Sequence, residues 1–210
     1  MNVTDRDLMV LQTLGNPVRC MVHPQIAAAW WPPTLAGYKN AAKRLIHLVQ
    51  ADLLRSQQVL AHPLLLLECP AVLWRPGEPA PAFPALAWRL QSRWTAHPLR
   101  RRVYFCAPRA IALLGSRAPG KLKNLCQLTH DLHVAQVYLA YRRRWPELAN
   151  DWVGEDDYAA NPYGEKIPDA LLIRNGIPYR AVEFGGRYPA SRLIAFHNDC
   201  VRLSLPYEIW

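Results

Sequence analysis

Asn175-Gly176, set between the apolar runs at 170–173 and 181–184, constrains this chain more than any other stretch. Both residues tolerate positive φ, so the pair reads as a two-residue hairpin turn. One strand starts behind Pro168-Asp169 and the other ends at Glu183; a helical stretch at 191–203 and a short strand at 207–210 follow. In a two-residue turn Arg174 faces Ile177, so Asp169 faces Val182 and Glu183 faces Pro168. Neighbours along a strand alternate faces, which sends Asp169 and Glu183 to opposite sides. A one-residue bulge or a longer loop would bring them together, and Pro178, lacking an amide donor, leaves room for an irregular register.

The order Pro168-Asp169, then Glu183-Phe184-Gly185, resembles the PD-(D/E)xK nuclease-like superfamily. The resemblance implies that Asp169 and Glu183 hold Mg²⁺ and that a lysine two places after the glutamate helps activate water. Here that place is Gly185, which has no side chain. Lys166 and Arg187 are the nearest cations to replace it. The alternative is a hairpin that merely carries surface carboxylates. Over most of the chain, a winged-helix-like front half, Leu128-Thr129-His130-Asp131-Leu132 opening a helix, and the Pro-Asp hairpin together look like the replication-relaxation family. That resemblance implies a bacterial protein of a plasmid or mobile element, associated with plasmid DNA replication and relaxation.

The charge is uneven. The whole chain of 210 residues carries a net +9, of which 1–116 holds 13 basic and 5 acidic residues. Such a front half suits a polyanion, although an Arg-rich composition alone also gives positive charge. Apolar content of 51% argues for a packed core and against disorder. Five cysteines (Cys20, Cys69, Cys106, Cys126 and Cys200) are odd in number, widely spaced and without a Cys-x-x-Cys, the pattern of reduced thiols in a cytoplasmic protein. The first residues lack a basic-then-apolar leader, and no apolar run is long enough to span a membrane.

Reading from the start, Thr4 and Asp7 form a capping box for a helix ending at Gly15. His23-Pro24 opens a second helix, and Thr34 a third. Leu35, Ala42, Leu45, Ile46 and Val49 are its expected buried stripe, leaving Tyr38, Lys39, Asn40, Lys43 and Arg44 for other faces. Lys and Arg neutralise phosphates, and Arg or Asn reach base edges in the major groove; the alternative is a solvated basic face. Strand-like segments at 53–60 and 64–74 complete the order of a winged helix-turn-helix. Arg100-Arg101-Arg102, before a strand at 103–106, is a second phosphate-gripping candidate.

The segment 116–123 is small, polar and basic, and marks the expected domain boundary. A helix at 125–144 follows, capped by Thr129 or Asn124, with Arg142-Arg143-Arg144 complementing its dipole. Cys126, His130 and His133 share a helix face but supply three zinc ligands where a structural site takes four. Asp151, Glu155, Asp156 and Asp157 read as a surface loop. The first strand of the nuclease-like core is weakly marked, at 148–153.

The sequence therefore leads to a mixed α/β (α+β) protein: a winged-helix DNA-binding domain at 1–116 and a catalytically degenerate αβββαβ domain at 117–210. The expected partner is double-stranded DNA, gripped by Tyr38, Lys39, Asn40, Lys43, Arg44 and Arg100–Arg102, with no cofactor. The alternatives are a Mg²⁺-dependent deoxyribonuclease using Asp169, Glu183 and Lys166, and an adaptor that binds a protein through the second domain.

Overall fold

The computed structural model describes residues 2–116, 120, 122, 127–157 and 168–210. It is a mixed α/β structure with two sheets. The chain forms two compact units, 1–63 with 98–139 and 64–97 with 140–210. Neither is contiguous, so the chain does not divide at 116/117. Residues 64–97 belong with the C-terminal unit because their strand and helix find their apolar partners there.

In unit 1, α1 (Asp5–Gly15) starts with the expected capping box: Asp7 N donates to Thr4 Oγ1 at 3.3 Å and Thr4 N to the Asp7 carboxylate at 2.7 Å. β1 (Met21–Val22) leads into α2 (His23–Trp30). The buried Gln25 ties α2 to helix α6 (Leu128–Arg144), its amide donating to Leu132 O at 2.8 Å and Gln136 Oε1 at 3.1 Å. Thr34 caps α3 (Leu35–Gln50), accepting from Gly37 N at 3.0 Å. A Cβ on Gly37 would lie 2.2 Å from Pro32 O, so only glycine lets α3 cross the preceding turn this closely.

That close approach sets which way α3 faces. Gly37, Ala41, Leu45 and Leu48 are buried, whereas Leu35 and Ile46, both expected inside, are 69% and 50% exposed. The strand pairing also differs from expectation. β2 (Leu54–Ala61) pairs antiparallel along its whole length with β4 (Leu99–Cys106), not with residues 64–74, and β1 adds to the far side of β4. The sheet order is β1-β4-β2. α5 (Pro108–Leu114) ends at the left-handed Gly115. Thr129 does not cap α6; its hydroxyl accepts from His62 N at 3.1 Å.

In unit 2, β3 (Val72–Trp74) and α4 (Phe83–Ser92) precede the end of α6, α7 (Pro146–Asn150) and β5 (Trp152–Gly154). Then come β6 (Ala170–Arg174), β7 (Ile177–Glu183), α8 (Ala190–Arg202) and β8 (Tyr207–Ile209). The sheet runs β3-β8-β7-β6-β5, with β7 and β8 parallel across α8 and the other pairs antiparallel. Asn175 and Gly176 both take positive φ, 53° and 78°, as the hairpin turn requires. Leu171, Ala181, Tyr207 and Ile209 on one sheet face pack with Leu86 and Leu90 of α4 and Leu193 and Phe196 of α8. Tyr141 packs edge-on to Trp152 at 5.4 Å and lies 6.0 Å from Trp210.

Candidate carboxylate site and nucleic-acid face

The hairpin register decides what the two carboxylates can do. Next to the turn, Arg174 faces Ile177 and Ile173 faces Pro178; beyond an irregularity, Leu172 faces Arg180 and Ala170 faces Val182. Tyr179 is the extra residue, a bulge that shifts β7 by one. Its hydroxyl donates to Asp151 Oδ2 at 2.7 Å, and Arg174, itself bonded to Asp151 at 2.6 Å, stacks over its ring at 5.4 Å. The shift places Asp169 opposite Glu183, on one face. Asp169 N donates to Glu183 Oε2 at 3.3 Å, and Phe184 N to Asp169 Oδ2 at 2.7 Å. The divergence expected from an unbroken register is therefore corrected: the carboxylates converge.

The rest of the site was not read from the sequence. Tyr188 is buried, and its hydroxyl ionises well above the usual range because of burial first, then the Glu183 and Asp169 charges, with a hydrogen bond to Glu183 adding to this. The Arg192 guanidinium lies 3.8 Å from the Tyr188 ring centroid and acts the other way. Glu183 itself is fully buried. The position expected of a lysine is filled: a Cβ on Gly185 would lie 2.6 Å from Leu90 Cδ1 and 3.0 Å from Ile209 Cγ2. α4, arriving from the 64–97 segment, occupies that space. Arg187 lies over the Trp94 ring at 5.5 Å. Lys166, like Cys126 and Asn124, lies outside the described residues. Among the described residues no group of three or more His, Cys, Asp or Glu stands together as a metal site.

On the other sheet face, the buried Glu208 accepts from Tyr141 at 2.6 Å, Arg180 at 2.7 Å and Trp210 Nε1 at 3.0 Å. Both carboxylate oxygens are bonded, which offsets the cost of burial. Burial, then Glu208, pushes the Tyr141 hydroxyl well above its ordinary range.

No family model, curated protein or solved structure matches this chain.

In unit 1, Tyr38, Lys39, Asn40 and Lys43 are exposed on α3. Lys39 and Lys43, one turn apart, share a face with Leu35 and Ile46. Tyr38 leans on His23, ring centroids 4.0 Å apart. Arg44 does not join them. It turns to α1, bonding both oxygens of the buried Asp7 and the Asn2 carbonyl. Burial alone would raise the Asp7 pKa, but Arg44 and Thr4 together hold it below the usual carboxylate value. Arg44 thus braces α3 against α1 instead of presenting a free cation.

The arginine triplet also separates, because strand alternation splits it. Arg100 and Arg102 share the exposed face of the β2–β4 pair with Leu60 and Gln58, their partners across it. Arg101 takes the opposite face opposite the buried Val59, and its Nε is buried without a hydrogen-bond partner. Unit 1 carries 13 basic against 4 acidic residues, and unit 2 carries 12 of each. The net charge of the chain lies entirely in unit 1.

None of the four described cysteines is in a disulfide; Cys69 is exposed, and Cys20, Cys106 and Cys200 are buried. No described helix is long and apolar enough to cross a membrane.

Proposed function

We propose that this protein binds double-stranded DNA through unit 1, and that unit 2 is a nuclease-like domain without catalysis, in the manner of the replication-relaxation family of plasmids and mobile elements. The observation that carries the reading is the exposed Lys39–Lys43 face of α3. It stands in an α-β-α-α-β-β element order with a β1-β4-β2 sheet, in the unit that holds all the net charge. That order is the order of a winged helix, in which α3 enters the major groove and the β2–β4 wing lies along the backbone. Lys39, Lys43, Arg100 and Arg102 then meet phosphates, with Asn40 on the same helix for base edges. Four such contacts correspond to a salt slope of about −3.6.

The test is a salt titration of duplex binding by the full chain. Lys39→Ala with Lys43→Ala reduces the slope by about 1.8 under this reading. An unchanged slope overturns it.

The observation favouring the nuclease alternative is the bulge that sets Asp169 opposite Glu183. In that reading the pair holds Mg²⁺, a Lewis acid for phosphoryl oxygen. Against it stands the closed Gly185 position, which leaves no room for a lysine. Incubation with supercoiled DNA in Mg²⁺ or Mn²⁺ separates the two: cleavage lost in both Asp169→Ala and Glu183→Ala establishes the nuclease.

A further inference from the structure

We propose that the α4 face of unit 2, centred on Trp88 and flanked by the arginines around α4 and the start of α8, binds single-stranded nucleic acid. Trp88 is 72% exposed, and its helical position lies away from Leu86 and Leu90, which are buried in the core. It has no hydrogen bond or ring partner among the described residues. A bare indole on a helix has an apolar ring face with nothing to cover it.

Cations stand on α4 itself and on the segment leading into α8, which packs against α4. Arg89 is adjacent and exposed, bonding the Ala71 carbonyl. Arg93 stands one turn further, a like-charge spacing that costs helix stability. Arg93 donates to Trp210 O at 3.1 Å and lies over Phe184 at 5.6 Å. Arg187 stacks on Trp94, whose Nε1 donates to Gly186 O at 3.0 Å, and Arg192 stacks on Tyr188. Gln91 of α4 donates to Tyr188 O at 3.0 Å, which ties α4 to the segment that carries Arg187 and Arg192. Arg89, Arg93 and Arg192 form no ion pair with a carboxylate among the described residues.

Positive charge interleaved with aromatic rings matches a chain of phosphates with unstacked bases. Every base offers a ring face to an exposed tryptophan, and arginine planes stack on bases or meet phosphate. In a duplex those base faces are already stacked within the helix. The surface is therefore suited to a single strand, and its reach toward the Asp169–Glu183 pair follows from Leu90 of α4 lying against Gly185.

The experiment titrates the full chain against a labelled oligo-dT strand and, separately, against a duplex, with anisotropy as the readout. Trp88→Ala lowers single-strand affinity at least about fivefold, the low end for loss of one stacked base. Trp88→Tyr restores part of it, and the duplex constant stays within twofold. Arg187→Ala with Arg192→Ala lowers single-strand affinity and its salt slope together. Unchanged single-strand affinity in Trp88→Ala overturns the proposal, as does an equal loss on duplex and strand. Trp88 lies outside the core, so the variant keeps the fold, and circular dichroism verifies this. Because the two titrations are separate, a failure of duplex binding by α3 leaves this result standing.

Discussion

Gly185→Ala asks whether the expected lysine position is truly closed. An added Cβ meets Leu90 Cδ1 at 2.6 Å and Ile209 Cγ2 at 3.0 Å, where carbon pairs normally sit about 3.5–4.0 Å apart. Both neighbours are fully buried, so neither withdraws into solvent. Overpacking of this kind costs about 1–3 kcal/mol. Lower entropy of the unfolded chain returns about 0.4–1 kcal/mol, leaving a net loss centred on about 1.3 kcal/mol. Leu90→Ala alone costs about 2–5 kcal/mol by leaving a cavity. In the double variant the new methyl enters that cavity, so the losses fall short of additivity by about 1–2 kcal/mol. Urea unfolding followed by fluorescence reads this well, since six of the eight tryptophans lie in unit 2. A neutral Gly185→Ala, or strict additivity with Leu90→Ala, would refute the reasoning and reopen the position to a longer side chain.

Asp7→Ala removes a helix cap and the partner of Arg44, and the expected loss is about 2–4 kcal/mol, measured by urea midpoint. Asp7 has a depressed pKa in the folded chain, so its contribution is complete above the unfolded value near 3.9 and is lost as pH falls through the folded value. The gap in stability between the native chain and Asp7→Asn is therefore full at about pH 6 and shrinks below about pH 4. Deleting Tyr179 removes the bulge and returns β7 to the register in which Asp169 and Glu183 diverge; a large drop in melting temperature is expected, against a loss of about 1 kcal/mol for Tyr179→Phe. Of the four described thiols, Cys69 reacts first with a disulfide reagent at pH 8, because Cys20 and Cys200 are buried and burial pushes the Cys106 thiol up to about 12. Modification of Cys106 at the rate of Cys69 would contradict this.

What could be read ahead of the structure was local. The Thr4 box, the Thr34 cap, the His23-Pro24 start and the Asn175-Gly176 turn each act over a few residues, and each stands where expected. The misreadings involve distant partners. Leu35 and Ile46 have the right spacing for a core stripe, but Gly37 against Pro32 rotates α3 away from them. Residues 64–74 look like the second wing strand, yet β2 waits for β4 on the far side of a long insertion. The bulge is held by Asp151, 28 residues before Tyr179, and nothing near Pro178 specifies which residue is extra. Tyr188 and Arg192 carry no motif; only the tertiary structure brings them beside Glu183.

The interleaving of the two units has a consequence for how the chain is made. As it leaves the ribosome, β2 emerges before its partner β4, and unit 1 lacks its last segment until residue 139 has been synthesised. β3 and the apolar side of α4 wait longer still, because β8 (Tyr207–Ile209) is made well after residue 139. Unit 1 can therefore assemble first, with the 64–97 segment looped out and its strand edge and apolar side chains open to chaperones. Pairings across such separations form slowly and leave time for aggregation. A truncation after residue 139 would fix the chain in that state, with β3 and α4 present and their partners missing.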